Sequence, residues 1–239
     1  MQFISDFLIV CSIILLLVHI NSQLKDSDSE TIFNTQYYDN STLDKKCRLR
    51  QPLIISGSID TNSLKCLTHT AISETKSILS SEPKQHKDSK IVEYIPARDG
   101  ITRANKGENI HGDEVFIVKV AGEPFIEGLR TKFGPYFTLS TDICYKTAGL
   151  GVKTKPQRGL NDRTYIIPTS GEVAITLWSR ISTAEITGKS CLQHYVEETE
   201  SIDSNRGQTF FIESGSSVFV PRNWWYSVEF GSETGVIIL

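Results

Sequence analysis

Several things are scarce in this sequence, and each scarcity closes off a class of protein. One methionine in 239 residues excludes the adaptable methionine-lined groove of a promiscuous helix binder. Positive charge is not in excess: the formal net charge is −3, and the one local Lys/Arg cluster is Lys45, Lys46, Arg48 and Arg50. A nucleic-acid partner needs a broad basic face, so none is expected, and the cluster reads as the solvated edge of a domain. No C-x-x-C or tight Cys/His spacing occurs, which leaves a structural zinc ion without ligands. Gly149-Leu150-Gly151 lacks the third glycine and the following helix of a phosphate cradle and reads as a turn. No G-x-S-x-G elbow is present, and Ser216, Ser217 and Ser227 have no histidine near them in sequence, which removes the usual serine-hydrolase pattern.

A long apolar run is missing too. From Phe7 to Ile20 there are 14 residues without a formally charged side chain, against the roughly 20 that a spanning helix needs. That length suits the apolar core of a signal peptide. The stretch before it holds Asp6 and no Lys or Arg, and Ser22 is an acceptable small residue for cleavage. Residues 1–22 therefore read as a signal peptide or an uncleaved signal anchor. In the second case the membrane partner is the segment 3–20, tilted or locally mismatched to the bilayer. Either way, the remainder is expected in the secretory pathway, with the C-terminal part lumenal or extracellular.

Residues 23–46 are rich in Ser, Asp, Asn and Thr with few aliphatics, a composition that buries too little surface to order itself and reads as a stalk or linker. It carries the chain's one usable glycosylation sequon, Asn40-Ser41-Thr42, which makes Asn40 the glycosylation candidate. Beyond the apolar segment lie four cysteines, Cys47, Cys66, Cys144 and Cys191. An even number behind a secretory leader is the usage of an oxidising compartment, so these are disulfide candidates, with all three pairings open.

Residues 47–239 read as one folded domain. Arg50 to Gly57 looks like an opening strand ended by a glycine turn, and Asn62 to Leu79 like a helix capped by Asp60 or Thr61. From Lys90 onward the pattern is of short β-prone runs: Ile91–Ile95, Val115–Val120, Tyr136–Leu139, Thr164–Ile167, Val173–Trp178, Gln208–Ile212, Ser217–Val220, Trp225–Phe230 and Val236–Leu239. Runs of that length separated by turn residues predict an antiparallel sandwich or barrel. In Val173–Trp178 the period of two puts Val173, Ile175 and Leu177 on one face and Ala174, Thr176 and Trp178 on the other. There is no internal repeat.

The most specific stretch is Gly215 to Phe230, GSSVFVPRNWWYSVEF. Val218–Val220 form a strand that Pro221 stops, Arg222 and Asn223 turn the chain, and Trp224–Phe230 resumes as strand. This resembles the closing G-D-x-x-x-x-P-x-x-W-W-H motif of cupin-like, JmjC-related domains in the Fe(II)/2-oxoglutarate oxygenase superfamily. Pro52-Leu53-Ile54-Ile55-Ser56-Gly57 is similar to their P-x-x-I-x-G entry strand. The resemblance implies a mainly β fold, a double-stranded β-helix (jelly roll), here with an N-terminal helical addition. In active members the motif's last histidine ligates iron together with an earlier His-x-Asp/Glu pair. Here the histidine position is Tyr226 and the acidic position is Ser216. The window where the pair is implied, Pro156 to Asp162, holds no histidine; its one carboxylate is Asp162, and Arg158 is a cation that would repel a metal. No metal or cofactor is therefore expected at the inherited site.

These observations favour a membrane-associated or secreted non-catalytic cupin-like protein that binds a ligand or protein partner. Its pocket candidates are Arg158, Trp178 and Tyr226, with Arg158 and Tyr226 facing one another over an anion. Two alternatives stand beside it. A displaced triad of His111, Asp113 and His194 would make the chain an Fe(II)- and 2-oxoglutarate-dependent oxygenase, although lone histidines are more often structural. A structural β-sandwich surface glycoprotein would need neither.

Overall fold

The computed structural model of the chain describes residues 9–17, 30–82, 84–86, 89–134, 142–159, 163–179, 189–191, 196–199, 202–203 and 206–239, of which 84–86, 89–91, 189–191 and 196–198 are described by backbone alone. Residues 9–17 form a helix, α1, on which Ile9, Val10, Ile13, Ile14, Leu15, Leu16 and Leu17 are all exposed. Among the described residues no helix is long and apolar enough to cross a membrane.

Order begins upstream of Cys47. Strand β1 (Phe33–Gln36) pairs in parallel with β2 (Leu53–Ser56), so the stretch read as a stalk contributes to the sheet. Helix α2 (Asn40–Cys47) follows, its first turn capped by the Asp39 carboxylate on the Thr42 amide at 2.8 Å. Composition misleads here because the stability is tertiary. Leu43 and Cys47 are buried, and Asp44 forms an ion pair with Arg163 across the domain and another with Arg48 at 2.8 Å.

The helix expected over Asn62–Leu79 is shorter and broken. Asp60 caps α3 (Thr61–Leu64), a 3₁₀ turn follows over Lys65–Leu67, and Thr68 caps α4 (His69–Ser73). Ile78 and Leu79 belong instead to strand β3 (Ile78–Ser81). Strands β4 (Lys84–His86) and β5 (Ser89–Ile91) pair only with each other, and β6 (Tyr94–Pro96) borders β3. Helix α5 (Ala97–Ala104) leads to β7 (Ile110–Gly112).

Val115–Val120, expected as strand, is helical. Asp113 accepts the Phe116 amide at 2.8 Å and caps α6 (Glu114–Ala121), and Gly122, at φ 86°, turns the chain into α7 (Glu123–Phe133). The β-branched valines carry strand propensity, but a cap together with burial of Phe116 and Ile117 outweighs it. Tyr136–Leu139 lies outside the described residues.

The remaining strands are β8 (Cys144–Thr147), β9 (Gln157–Gly159), β10 (Arg163–Pro168), β11 (Glu172–Trp178), β12 (Lys189–Cys191), β13 (Val196–Glu198), β14 (Gln208–Glu213), β15 (Ser217–Pro221), β16 (Trp225–Phe230) and β17 (Gly235–Ile238). They complete two main sheets. The larger runs β1-β2-β15-β10-β17-β8-β7-β3-β6 and the smaller β12-β13-β9-β16-β11-β14. From β8 to β11 the chain alternates large, small, large, small; from β14 to β17 it runs small, large, small, large. The molecule is thus mainly β, with helices added N-terminally and between the early strands.

Two apolar cores follow from the period of two. On one face of the large sheet, Tyr145, Tyr165, Ile167, Phe219 and Ile237 pack under the helices with Leu64, Leu67, Phe116, Ile126, Leu129 and Phe133. On the other face, Ile166, Val218, Val220, Val236 and Ile238 meet Val173, Ile175, Leu177, Tyr226, Val228 and Phe230 of the small sheet. Each fully buried side chain of this size stabilises by about 1.5–3 kcal/mol. The inward set on β11 is the one its sequence predicts, and β11 pairs antiparallel with β16 over six residues, Val173↔Phe230 to Trp178↔Trp225. The strand, turn and strand of the closing motif fall where the sequence puts them, with β15 ending at Pro221, Asn223 at a left-handed φ of 70° and β16 starting at Trp225. They are not a paired hairpin: β15 joins the large sheet beside β10 and β2, and β16 the small sheet beside β11 and β9.

Candidate functional site

The window implied for the metal pair falls on β9, and the closing motif falls on its neighbour β16. Their register places Gln157 opposite Tyr226 and Arg158 opposite Trp225. Successive residues of a strand face opposite ways, so this register divides the site. Tyr226 points into the core between the sheets. Gln157, its partner across the ladder, is also buried and accepts a hydrogen bond from Nζ of Lys146 on β8, in the opposing sheet, at 2.9 Å.

Lys146 was not singled out by the sequence. It pairs with Val236 of β17 and His111 of β7, and Val236 belongs to the core between the sheets. Its ammonium is nearly inaccessible, with the residue at 3% exposure. Among the described residues, the Gln157 oxygen is its one hydrogen-bond partner and no carboxylate lies within ion-pair distance. A signal was available: in Cys144-Tyr145-Lys146-Thr147 a lysine interrupts a strand that is buried at every position, and fully buried lysines are rare unless paired.

Arg158 and Tyr226 do not face one another over an anion. Arg158 is on the outer side of the small sheet, its guanidinium 4.9 Å from the Trp225 ring centroid, within cation–π range. Trp178 stands opposite Trp225 in register on that same outer side. Both indoles are buried, and Trp178 donates its Nε1 hydrogen to the Asp203 carbonyl at 3.1 Å. The three pocket candidates therefore split: Arg158 and Trp178 join an outer aromatic patch, and Tyr226 joins the interior.

The residues on the inner rung are poor iron ligands. Gln157 offers one neutral oxygen, already taken by an ammonium. A phenol such as Tyr226 has to ionise to ligate well, against a reference pKa near 10. Asp162 lies outside the described residues. Among the described residues no group of three His, Cys, Asp or Glu could hold a metal ion.

A cavity of about 520 Å³ lies elsewhere, lined by Ile78, Ser80, Tyr94, His111, Asp113, Glu114, Val115, Lys119, Asp142 and Cys144 among others. It brings together two members of the displaced triad, His111 and Asp113; His194 lies outside the described residues. The Asp113 carboxylate is engaged as the cap of α6, and Glu114 pairs with Arg130 at 2.8 Å. Ile78, Tyr94 and Val115 at this cavity are exposed apolar side chains.

Cys47, Cys66 and Cys144 carry free thiols, so the expected bridging does not join them. Cys47 lies 3.2 Å from the Tyr165 hydroxyl, and burial pushes its thiol pKa up to about 11. Cys66 donates to the Ser63 carbonyl at 3.4 Å, and Cys144 is buried on β8. Cys191 is on β12, where only backbone is described. Asn40 opens α2, and its Nδ2 donates to the Thr131 carbonyl of α7 at 2.7 Å, so the sequon nitrogen is engaged in the fold rather than displayed on a stalk.

No protein-family model matches the chain, and no curated protein matches it. Among solved structures, the chain is similar to the X-ray structure of E. coli ycfD, with a TM-score of 0.47 at 11% sequence identity, over 78% of this chain and 48% of that one. The chain spans about half the length of that protein.

Proposed function

We propose that the chain is a non-catalytic cupin-like protein of the secretory pathway, secreted or membrane-associated, that binds a ligand or protein partner. The observation that carries this reading is the inner rung. Where the resemblance implies metal ligands, the chain has Gln157 opposite Tyr226, with the Lys146 ammonium on the Gln157 oxygen. A double-stranded β-helix is the matching fold. Its support is the alternation of β8–β11 and β14–β17 between two sheets, and the strand orders β8-β17-β10-β15 and β9-β16-β11-β14 that result. The exposed apolar α1 supports a leader or anchor at 1–22.

The second reading is an Fe(II)/2-oxoglutarate oxygenase using His111, Asp113 and His194, and the cavity around His111 and Asp113 favours it. Anaerobic titration with Fe(II) and 2-oxoglutarate separates the two. The non-catalytic reading expects no stoichiometric iron and no 2-oxoglutarate-dependent absorbance. Uptake that His111→Ala abolishes would establish the second reading instead.

A further inference from the structure

Among the described residues Lys146 is a buried lysine whose hydrogen bond goes to an amide oxygen and not to a carboxylate. A lysine ammonium carries three hydrogens. One is donated to Gln157, and among the described residues no carboxylate balances the charge. Isolating a charge in this way is costly, and such a group persists where the surrounding groups are arranged for a cation. The arrangement is specific. Lys146 comes from the large sheet, Gln157 and Tyr226 from the small one, and the ammonium ties the sheets together at the rung that the closing motif points to.

We infer that Lys146 is a built-in cation that takes the place of a metal ion on this rung, holding Gln157 and excluding divalent ions from the space between the sheets. The inference rests on the non-catalytic reading. It adds that the interior needs a fixed positive charge and supplies it from the chain. A divalent ion bound by side chains at 157 and 226 would sit beside the ammonium, and in a low-dielectric interior that repulsion is strong. Metal affinity at the rung is therefore set by Lys146 as much as by the missing ligands.

The test builds ligands into the rung with and without the lysine. Residues 157 and 226 are direct partners across the ladder, so Gln157→His with Tyr226→His creates a cross-strand histidine pair. Co(II) binding, read by its visible absorbance, is compared between this double variant and the same variant carrying Lys146→Met. The expected result is binding at least about 100-fold tighter without the lysine. Equal affinity in both backgrounds, or Co(II) binding in neither, overturns the inference.

Thermal melting of the single variants covers the case in which the histidine pair fails to fold. Lys146→Met loses the 2.9 Å hydrogen bond between the sheets and should melt below the wild type, and Lys146→Arg, which keeps a donor, should lie between them. A Lys146→Met protein that melts at or above the wild-type temperature overturns the inference. Fe(II) and 2-oxoglutarate uptake by the wild type would sink the non-catalytic reading, whereas these comparisons fail only the role of Lys146.

Discussion

Tyr226 stands directly opposite Gln157 on neighbouring antiparallel strands. The residue that ends the closing W-W-Y motif therefore shares one rung with the window in which an earlier ligand pair is implied. The two were aligned separately in sequence, 69 residues apart, and the ladder brings them together. The groups on that rung are an amide and a phenol, with the Lys146 ammonium on the amide oxygen.

The first prediction concerns where the folded unit begins. Asp44 and Arg163 are both largely buried, and their pair joins α2 to β10. Burial alone would raise the Asp44 carboxyl, but Arg163 and Arg48 hold it below the usual carboxylate range. Breaking a buried pair by removing one partner costs about 3 kcal/mol or more. Asp44→Ala should lower stability in urea unfolding by roughly that amount, and a chain starting at Cys47 should lose more. Unchanged midpoints would mean that α2 is a dispensable stalk.

A second prediction is a pH dependence. His69 is buried, and its Nε2 lies 2.7 Å from the Thr147 hydroxyl, which donates to the Thr234 carbonyl at 2.7 Å. The hydroxyl proton is thus used, so His69 donates from Nε2. Burial lowers its pKa from 6.5. The unfolded chain takes up a proton near that value and the folded chain only at lower pH, so this stabilisation is complete above about 6.5 and is lost as pH falls below it. Melting temperature should drop between pH 7.5 and 5.5, and His69→Gln should flatten that slope. An equal slope in both proteins would assign the effect elsewhere.

A third prediction uses the thiols. Thiolate is the reactive form, and Cys47 is buried with its pKa raised to about 11. Cys144 is buried on β8, and burial raises its thiol pKa too. Iodoacetamide at pH 8, followed by mass spectrometry, should label Cys66 in the folded protein and reach Cys47 and Cys144 only after unfolding. A disulfide that links Cys47, Cys66 or Cys144 to any other cysteine in the untreated protein would contradict the free thiols seen here.

Much of the β architecture was legible because the late strands carry their own signals. Val173–Trp178 alternates cleanly, and Pro221 with Asn223 marks the turn between β15 and β16, although the sequence does not show that the two strands enter different sheets. The helices were harder. Val115–Val120 is β-branched and apolar, and only the Asp113 cap identifies it as helix. The segment over 33–47 looks too polar to order itself; its order depends on β2 and Arg163, which are remote in sequence. At the site, the residue types on the rung, Gln157 and Tyr226, were readable from the sequence. That Arg158 and Tyr226 fall on opposite faces of the small sheet was not, because it depends on the register of β9 against β16. Lys146 was missed for a related reason: its importance comes from the sheet across the core.

The most direct test of the central claim is anaerobic Fe(II) and 2-oxoglutarate titration of the folded protein, with metal content measured alongside. The account predicts no stoichiometric iron and no 2-oxoglutarate-dependent absorbance, with melting unchanged by chelator. Stoichiometric iron with that absorbance would contradict it and direct attention to His111, Asp113 and His194.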